Sequence, residues 1–511
     1  MRRVSALFAL ALFVGCTSSA PTVPALKRTI GDQTLAIRVL GMESSRAEAP
    51  ANAPEVVPGE YDCIIVGGGL SGLTTAWYLR DRKILVLERK DTAGGLSFQG
   101  TTPEGIVFGR GAAYYAPPEK DSLRVYKDLG LPDLETTEIP EPIDSYWYRG
   151  ELLRDVWAEE SLKKLPEGFR KFKEQLEEDS KNGRIPVQPF ESAGDLSLDK
   201  ISAADYIKPF GPEVRDFLDS YCKSALGAHP ECLSAAAFCN FYISEITVRH
   251  AWPGGTGGAG EHLVKKLNAH NPKILRTGAT VTKVRNVANG VEVVYHQNGH
   301  NYLVRAKCAV MATPLNITSW LVEGYPADRM ELVKQLKFSD YVIHTVFTSR
   351  ELFTAGYDTW FAKRSFTDLI VGRWVETHGF TKPRKPGPGI LSIYQPLAPH
   401  RKPPGMKPDD IADLAAGAVK ELYDMIPDLA KEKDLRIESY RWPGSIHVVP
   451  PGYFTTWVPK LKAPVVRIHF AGSNLGTPSF EEALYRGWAA ADEVRKLLSF
   501  APVRRVEARA A

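Results

Sequence analysis

Three glycines and one acidic residue have the types and spacing needed to bind a dinucleotide. Gly67, Gly69 and Gly72 form a Gly-x-Gly-x-x-Gly pattern, and Glu88 follows the first glycine by about 20 residues. The first glycine allows a tight turn, the second lets the backbone approach a pyrophosphate, and the third lets a helix pack close to a strand. Free N–H groups at the start of that helix attract phosphates, and the carboxylate would accept hydrogen bonds from ribose hydroxyls. These residues predict an adenine-dinucleotide site.

The flanking sequence supplies the elements that position these residues. Cys63–Val66 is a short apolar run typical of a strand buried on both faces, and Lys83–Leu87 is a second such run. Leu73–Arg80, between them, predicts a helix. The result is a βαβ unit with the glycines at its first turn and Glu88 at the end of its second strand. This context is far more specific than the glycine spacing alone, and the remaining alternative is an α/β unit without a nucleotide.

The stretch from Tyr61 to Gly100 resembles the FAD-binding N-terminus of the flavin-containing amine oxidase superfamily. This superfamily includes monoamine and polyamine oxidases, protoporphyrinogen oxidase and phytoene desaturases. The resemblance rests on D-x-I-I-V-G-G-G-L-S-G-L, on V-L-E-R and on the pair Gly94-Gly95. It continues in the glycine-rich run 252–258, in V-T-K-V at 281–284, in A-V-M-A-T-P at 309–314 and in Ala471-Gly472 before a helix.

The resemblance implies an α/β fold with two parts. A Rossmann-like FAD-binding domain is expected from the discontinuous segments 61–121, 251–315 and 463–500. An α+β substrate domain is expected from residues 122–250 and 316–462, with the ligand at the junction of the two. A short hairpin is predicted around Asp144–Gly150, and residues 501–511 are predicted to be a tail.

The resemblance also assigns residues to the cofactor. The predicted FAD-binding residues are Gly67, Gly69, Leu70, Ser71, Gly72, Glu88, Arg89, Gly94, Gly95, Leu96, Gly111, Ala112, Val281, Gly472, Ser473, Phe480 and Glu481. Leu96 replaces an arginine of the family, and Ser473 replaces an acidic residue. Tyr453 stands where covalently flavinylated relatives have cysteine, so we expect FAD to be held without a covalent bond.

His344 is the candidate catalytic residue. In amine oxidases, the strand that resembles Tyr341–Phe347 often carries a lysine that holds a water molecule near flavin N5. An ungapped register anchored on Arg350–Phe353 places His344 at that position. A neutral imidazole there could orient water or move a proton. The alternative is a structural histidine within a strand.

These observations predict an FAD-dependent oxidoreductase. It would take a hydride equivalent from a small organic substrate to flavin N5, and dioxygen or a quinone-like acceptor would reoxidise the flavin. The substrate is an amine or an apolar, isoprenoid-like lipid. Ser479, which stands where amine oxidases with an aromatic cage have tyrosine or tryptophan, favours the apolar substrate slightly. The alternative from another class is a non-catalytic binding or escort protein that reuses the fold.

The composition is that of a globular protein. The 511 residues are 44% hydrophobic and 24% charged, with a formal net charge of +4, which gives no reason to expect a nucleic-acid partner. Cys222, Cys232 and Cys239 lie near His229, but their spacing matches no zinc pattern. No metal is therefore predicted.

The N-terminus predicts export and anchoring. Residues 1–16 combine Arg2-Arg3 with an apolar run too short to span a bilayer, as in a signal peptide. Phe13–Cys16 resembles a bacterial lipobox, whose cysteine would carry a lipid. Residues 17–60, rich in Ala, Pro, Ser and Thr, predict a flexible tether. The expected location is the bacterial cell envelope, at the periplasmic side of the outer membrane through Cys16, with a soluble periplasmic protein as the alternative.

Overall fold

A computed structural model of the chain describes residues 23–42, 52–134, 137–190, 195–379, 387–397, 399 and 405–500. The strands within these residues are β1 (Leu26–Ile30), β2 (Gln33–Leu40), β3 (Glu55–Val66), β4 (Ile84–Leu87), β5 (Gln99–Thr101), β6 (Val107–Gly109), β7 (Thr137–Glu138), β8 (Asp144–Tyr148), β9 (Glu151–Leu153), β10 (His250–Ala251), β11 (Leu275–Arg276), β12 (Thr280–Val287), β13 (Gly290–Gln297), β14 (His300–Met311), β15 (Phe338–Thr348), β16 (Asp358–Phe361), β17 (Asp368–Val371), β18 (Gly389–Pro396), β19 (Asp434–His447) and β20 (Ile468–Phe470).

The α-helices within the same residues are α1 (Leu70–Tyr78), α2 (Lys120–Asp128), α3 (Glu159–Leu162), α4 (Glu167–Lys181), α5 (Ala203–Ile207), α6 (Pro212–Leu226), α7 (Ala235–Glu245), α8 (Gly257–His270), α9 (Leu315–Leu321), α10 (Ala327–Gln335), α11 (Pro408–Glu421), α12 (Val458–Leu461) and α13 (Phe480–Phe500).

One sheet carries the dinucleotide fingerprint. Its strand order is β11-β4-β3-β14-β13-β12, and β20 also pairs with β14. β3 pairs in parallel with both β4 and β14, so their carboxyl ends meet at one edge. The last residues of β3 are fully buried, as the apolar run predicts. Helix α1 follows the turn after β3 and packs against α13 and α8. The α/β fold and the predicted βαβ unit are therefore confirmed.

A second sheet forms the base of the other half of the molecule. Within the described ranges it has nine strands in the order β1-β2-β19-β15-β18-β17-β16-β8-β9. The interior strand β15 is buried along almost its whole length between β18 and β19. Helices α4 to α7 pack beside this sheet around an aromatic core that includes Phe169, Phe172 and Phe217. The predicted hairpin is present, since β8 and β9 pair antiparallel.

The prediction that residues 17–60 form a flexible tether is wrong for a large part of that stretch. β1 and β2 pair as an antiparallel hairpin, and β2 then pairs in parallel with β19. Leu35, Ile37 and Val39 are buried on the inner face of β2. This burial of apolar side chains against the sheet outweighs the polar, alanine-rich and proline-rich composition of the surrounding sequence.

Several predictions lie outside the described residues. Residues 1–16, the lipid-bearing Cys16 and the tail 501–511 are among them, so the signal peptide, the anchor and the envelope location stay predictions. In the part of the chain that the structure describes, no helix has the length and apolar character needed to cross a bilayer. The described cysteines are all free thiols, and no cluster of His, Cys, Asp or Glu in those ranges could hold a metal ion.

Candidate active site

A groove of about 370 Å³ lies at the carboxyl ends of β3, β4 and β14. Most of the predicted cofactor residues line it, namely Gly67, Gly69, Leu70, Ser71, Glu88, Arg89, Gly94, Gly95, Leu96, Ala112, Val281, Gly472, Ser473 and Phe480. They come from positions far apart in the sequence and converge because parallel strands end at the same edge of the sheet. The structure therefore brings together the residues that the resemblance assigned to the cofactor.

The glycines shape the groove through the side chains they lack. Gly67 has a φ of 106°, a conformation that residues with a Cβ rarely adopt. A Cβ at Gly72 would overlap the carbonyl oxygen of Gly67. Gly72 does not line the groove itself, and its role is to let α1 approach the turn. Gly69 precedes the helix, and no side chain caps the helix N-terminus, so backbone N–H groups are available to an anion in the groove.

Glu88 is fixed at the end of β4 by two backbone hydrogen bonds. The N–H of Gly68 donates to Oε2 at 2.7 Å, and the N–H of Lys90 donates to Oε1 at 2.8 Å. The carboxylate is only partly buried and lines the groove. It retains acceptor capacity for ribose hydroxyls, because each carboxylate oxygen has two lone pairs.

The sequence interpretation missed residues that the second sheet contributes to the groove. Gly41, which follows β2, lines the groove, and so do residues 442–445 of β19. Lys90 donates to the hydroxyl of Tyr440 at 3.1 Å, and its Nζ lies 3.9 Å from the centroid of the Trp442 ring. Nothing local marked Gly41, because its position depends on pairing between β2 and β19.

The groove fits FAD. It offers an open helix N-terminus for the pyrophosphate, a fixed carboxylate for the ribose, and apolar side chains beyond both. No cysteine or histidine is among the described residues that line it. Tyr453 is buried, and its hydroxyl donates to the carbonyl oxygen of Asn474. No thiol is thus placed for a covalent link, as the prediction of non-covalent FAD requires.

A larger cavity of about 630 Å³ opens from the groove. The two spaces share Leu96, Ala112, Trp442, Ser445, Pro478, Ser479 and Phe480, which we call the junction. Gly111 and Glu481, predicted to bind the cofactor, line the cavity rather than the groove. The second sheet forms one side of the cavity through β15, β17 and β18, and α7 forms another. A molecule in the cavity would meet the cofactor at the junction.

The charged side chains that line the cavity are all acidic. They are Glu119, Glu245, Asp368 and Glu481, and no Lys, Arg or His is among the described lining residues. Burial raises the pKa of Glu245, of Asp368 and of Glu481 to about 7. The Oε1 atom of Glu481 is buried without a hydrogen-bond partner in the described residues. The cavity can therefore attract a cation or a strong hydrogen-bond donor.

Glu245 differs from the other three carboxyls because it pairs with a buried arginine. It accepts hydrogen bonds from Tyr221 at 3.0 Å and from Tyr114 at 3.2 Å, and it pairs with Arg249. The guanidinium of Arg249 also donates to both oxygens of Asp144, at 3.1 and 2.7 Å. This buried network joins α7 to β8 and fixes one wall of the cavity.

The prediction of His344 as a catalytic residue is contradicted by its position. Its Nδ1 lies 2.8 Å from the hydroxyl of Ser439, its Nε2 lies 2.9 Å from Oε1 of Gln395, and its side chain is 0% exposed. Tyr341 and Ile343 line the cavity, whereas His344 is absent from the lining of both cavity and groove. Successive side chains in a strand point to opposite faces, so the ungapped register placed the histidine on the wrong face.

Comparison with known proteins agrees with this geometry. The sequence model described as "Flavin containing amine oxidoreductase" matches residues 70–495. The chain is 24% identical to "Amine oxidase [flavin-containing]" of Oncorhynchus mykiss over 85% of each chain. It is 23% identical to "L-amino acid dehydrogenase" of Synechocystis, covering 86% of this chain and 95% of that one.

Solved structures show the same fold. Cyclohexylamine oxidase from Brevibacterium oxydans superposes with a TM-score of 0.64 at 21% identity, covering 86% of this chain and 100% of that one. At this identity, the likeness carries the fold alone. The match to the family spans most of the chain and includes all the residues of the junction. The chain therefore belongs to the flavin-containing amine oxidoreductase family and is an FAD-dependent oxidoreductase.

Proposed function

We propose that the protein oxidises an organic amine that carries no carboxylate next to its nitrogen. The observation that supports this substrate is the charge of the cavity, which has four acidic side chains and no basic one among its described lining residues. Arg249 already pairs with Glu245, so a carboxylate or phosphate on the substrate would meet Glu119, Asp368 and Glu481 without a basic residue in the described lining. A pure hydrocarbon would leave buried carboxyls without partners, which is unfavourable.

The chemistry balances with FAD as the electron acceptor. The amine loses two electrons and two hydrogens from its C–N unit and becomes an imine, which water hydrolyses to a carbonyl compound and a free amine or ammonia. When bound, FAD supplies the two-electron acceptor, and dioxygen or a quinone-like compound then takes the electrons away, giving hydrogen peroxide or a quinol.

The residues of the chain orient the substrate and exclude water. Trp442 and Phe480 at the junction offer large apolar faces, and Tyr341 and Tyr394 narrow the cavity beside them. Glu481 lies in the first turn of α13, next to the junction. Burial raises its pKa, so its carboxyl group stays neutral to a higher pH than a carboxyl group in water. In its ionised form it can accept a proton from an ammonium group, which a reacting amine must lose. Nothing in the described residues favours the non-catalytic alternative, since the groove keeps its glycines and its open helix end.

A matched pair of substrates tests this proposal. Phenethylamine and L-phenylalanine differ only by the carboxylate, and both are mixed anaerobically with the purified flavoprotein while the flavin absorption is followed. We expect phenethylamine to bleach the flavin at least about 100-fold faster, because burying an unpaired carboxylate costs several kcal/mol. Equal or faster bleaching by L-phenylalanine would contradict the assignment. Bleaching by an isoprenoid hydrocarbon and not by the amine would favour desaturation. Dithionite bleaching serves as the control for a functional flavin.

A further inference from the structure

A chain of neutral hydrogen bonds crosses the cavity wall beside the junction. The Nδ2 atom of Asn240 donates to the carbonyl oxygen of Pro186 at 2.8 Å. The Nε2 atom of Gln188 donates to Oδ1 of Asn240 at 2.8 Å, and the hydroxyl of Ser479 donates to Oε1 of Gln188 at 2.8 Å. All four residues line the cavity, and Ser479 also lines the groove. The chain ties the loop after α4 to α7 and to the residue before α13.

The carbonyl group of Pro186 fixes the direction in which each amide points. A carbonyl oxygen can only accept, so Asn240 must present its nitrogen to Pro186 and its oxygen to Gln188. Gln188 then presents its nitrogen to Asn240 and its oxygen to Ser479. The Oγ atom of Ser479 accepts the N–H of Glu482 at 3.1 Å, which leaves its own hydrogen for Gln188. Turning either amide around would set two oxygens or two N–H groups against each other.

The chain uses only part of what the two amides can bind. An amide side chain has two N–H groups and two lone pairs on its oxygen. In Gln188 and in Asn240, one N–H and one lone pair take part in the chain, and no other described residue hydrogen-bonds either amide group. Both side chains are partly buried on the cavity wall. A molecule in the cavity can therefore accept from an N–H and donate to an amide oxygen at one place.

A hydroxyl group is the substrate feature that matches this wall. It both accepts and donates, whereas an ether oxygen only accepts and an ammonium group only donates. A methyl group would leave the amides against an apolar surface, which is unfavourable. Gln188 is one hydrogen bond away from Ser479 at the junction, so the hydroxyl would lie on the same side of the cavity as the reacting nitrogen.

We propose that Gln188 and Asn240 bind a hydroxyl group of the substrate and thereby select amino alcohols over alkylamines. This inference rests on the proposed oxidation of amines for the role of the nitrogen. The hydroxyl site itself does not depend on turnover.

Calorimetry with the dithionite-reduced flavoprotein tests the site, because a reduced flavin cannot oxidise the amine during the titration. The probes are 4-aminobutanol and pentylamine, which have the same length and differ in a terminal hydroxyl in place of a methyl. We expect the wild type to bind the amino alcohol at least about tenfold more tightly. Gln188→Met should bring the two dissociation constants to within about twofold of each other, because methionine has a similar length and cannot form these hydrogen bonds. Asn240→Leu should reduce the preference in the same direction.

Gln175→Met is the matched control. Gln175 of α4 is also partly buried and donates to Asp179 at 3.1 Å, but it is not among the described residues that line the cavity. Its variant should keep the preference for the amino alcohol. The flavin spectrum and the melting curve of each variant report its folding.

The wild type alone can overturn the hydroxyl site, since equal affinity for the two probes contradicts it whatever the variants do. A preference that persists in Gln188→Met contradicts it as well. If both amines bleach the oxidised flavin and the wild type binds them equally, the hydroxyl site fails while the proposed oxidation stands. If neither amine bleaches the flavin and the preference still depends on Gln188, the proposed oxidation fails while the hydroxyl site stands.

Discussion

His344 acts within the sheet, and its burial determines its chemistry. Burial lowers its pKa from an ordinary 6.5 to about 4, and Ser439 and Gln395 occupy both ring nitrogens. Between these two pKa values, the unfolded chain binds a proton that the native histidine does not bind. The contribution of this group to the free energy of unfolding therefore decreases as the pH falls from about 6.5 to about 4.

Replacing His344 with glutamine should therefore change the stability of the protein in a way that depends on pH. At a pH of about 7.5 we expect the free energy of unfolding to fall by about 1–3 kcal/mol, because at least one buried hydrogen bond is lost. The deficit relative to the wild type should shrink at a pH of about 5, where the wild type is itself weakened. Urea unfolding at both pH values measures this. A kcat reduced more than about tenfold, with unchanged stability, would restore a catalytic role.

Residues whose positions follow from one short stretch lie where the sequence placed them. The fingerprint glycines and Glu88 were predicted because turn geometry, helix start and strand end lie within one short stretch. His344 was predicted wrongly because a one-residue error in the register of a strand exchanges its two faces.

The N-terminal hairpin is the element that the sequence interpretation missed. Its signal was present in the sequence, since the large apolar residues Leu35, Ile37 and Val39 occupy every second position of β2. The composition of the whole stretch 17–60 obscured that alternation. The hairpin packs against α11 and β19, which are distant from it in the sequence. Arg28 of β1, for example, forms ion pairs with Asp409 and Asp413 of α11. A period-two pattern within eight residues was therefore a better guide than average composition.

A pair of substitutions in β2 tests whether this hairpin is part of the folded body. Ile37 is fully buried, whereas Arg38 next to it is exposed. We expect Ile37→Ala to lower the free energy of unfolding by about 2–5 kcal/mol. Arg38→Ala should change it by no more than about 0.5 kcal/mol. Chemical unfolding of both variants measures the difference. If neither variant differed from the wild type, the stretch would behave as the tether that its composition suggested.

At the scale of the whole molecule, the cofactor groove joins the two sheets. Gly67, Gly69 and Glu88 follow strands of the sheet that carries the dinucleotide fingerprint. Gly41 follows β2 and Trp442 belongs to β19, which are both strands of the nine-stranded sheet. A ligand that fills the groove contacts both parts and stabilises the arrangement in which they meet. Binding that is restricted to the native state raises the free energy of unfolding by about 2.7 kcal/mol when the ligand is at 100 times its Kd.

We therefore expect the melting temperature of the FAD-depleted protein to rise with added FAD, and the rise to depend on Gly72. Gly72→Ala forces a Cβ against the carbonyl oxygen of Gly67 and displaces α1 from the turn that would hold the pyrophosphate. The variant should bind little flavin and lose most of the FAD-dependent rise.

Gly417→Ala is the matched control, since nothing lies within 4 Å of a Cβ placed there on α11. This control should respond to FAD like the wild type, because an alanine in an exposed helix position costs nothing and favours the helix. An undiminished response of Gly72→Ala would mean that the close approach of α1 to the turn does not govern FAD binding, and the phosphate-binding role of this helix would have to be abandoned.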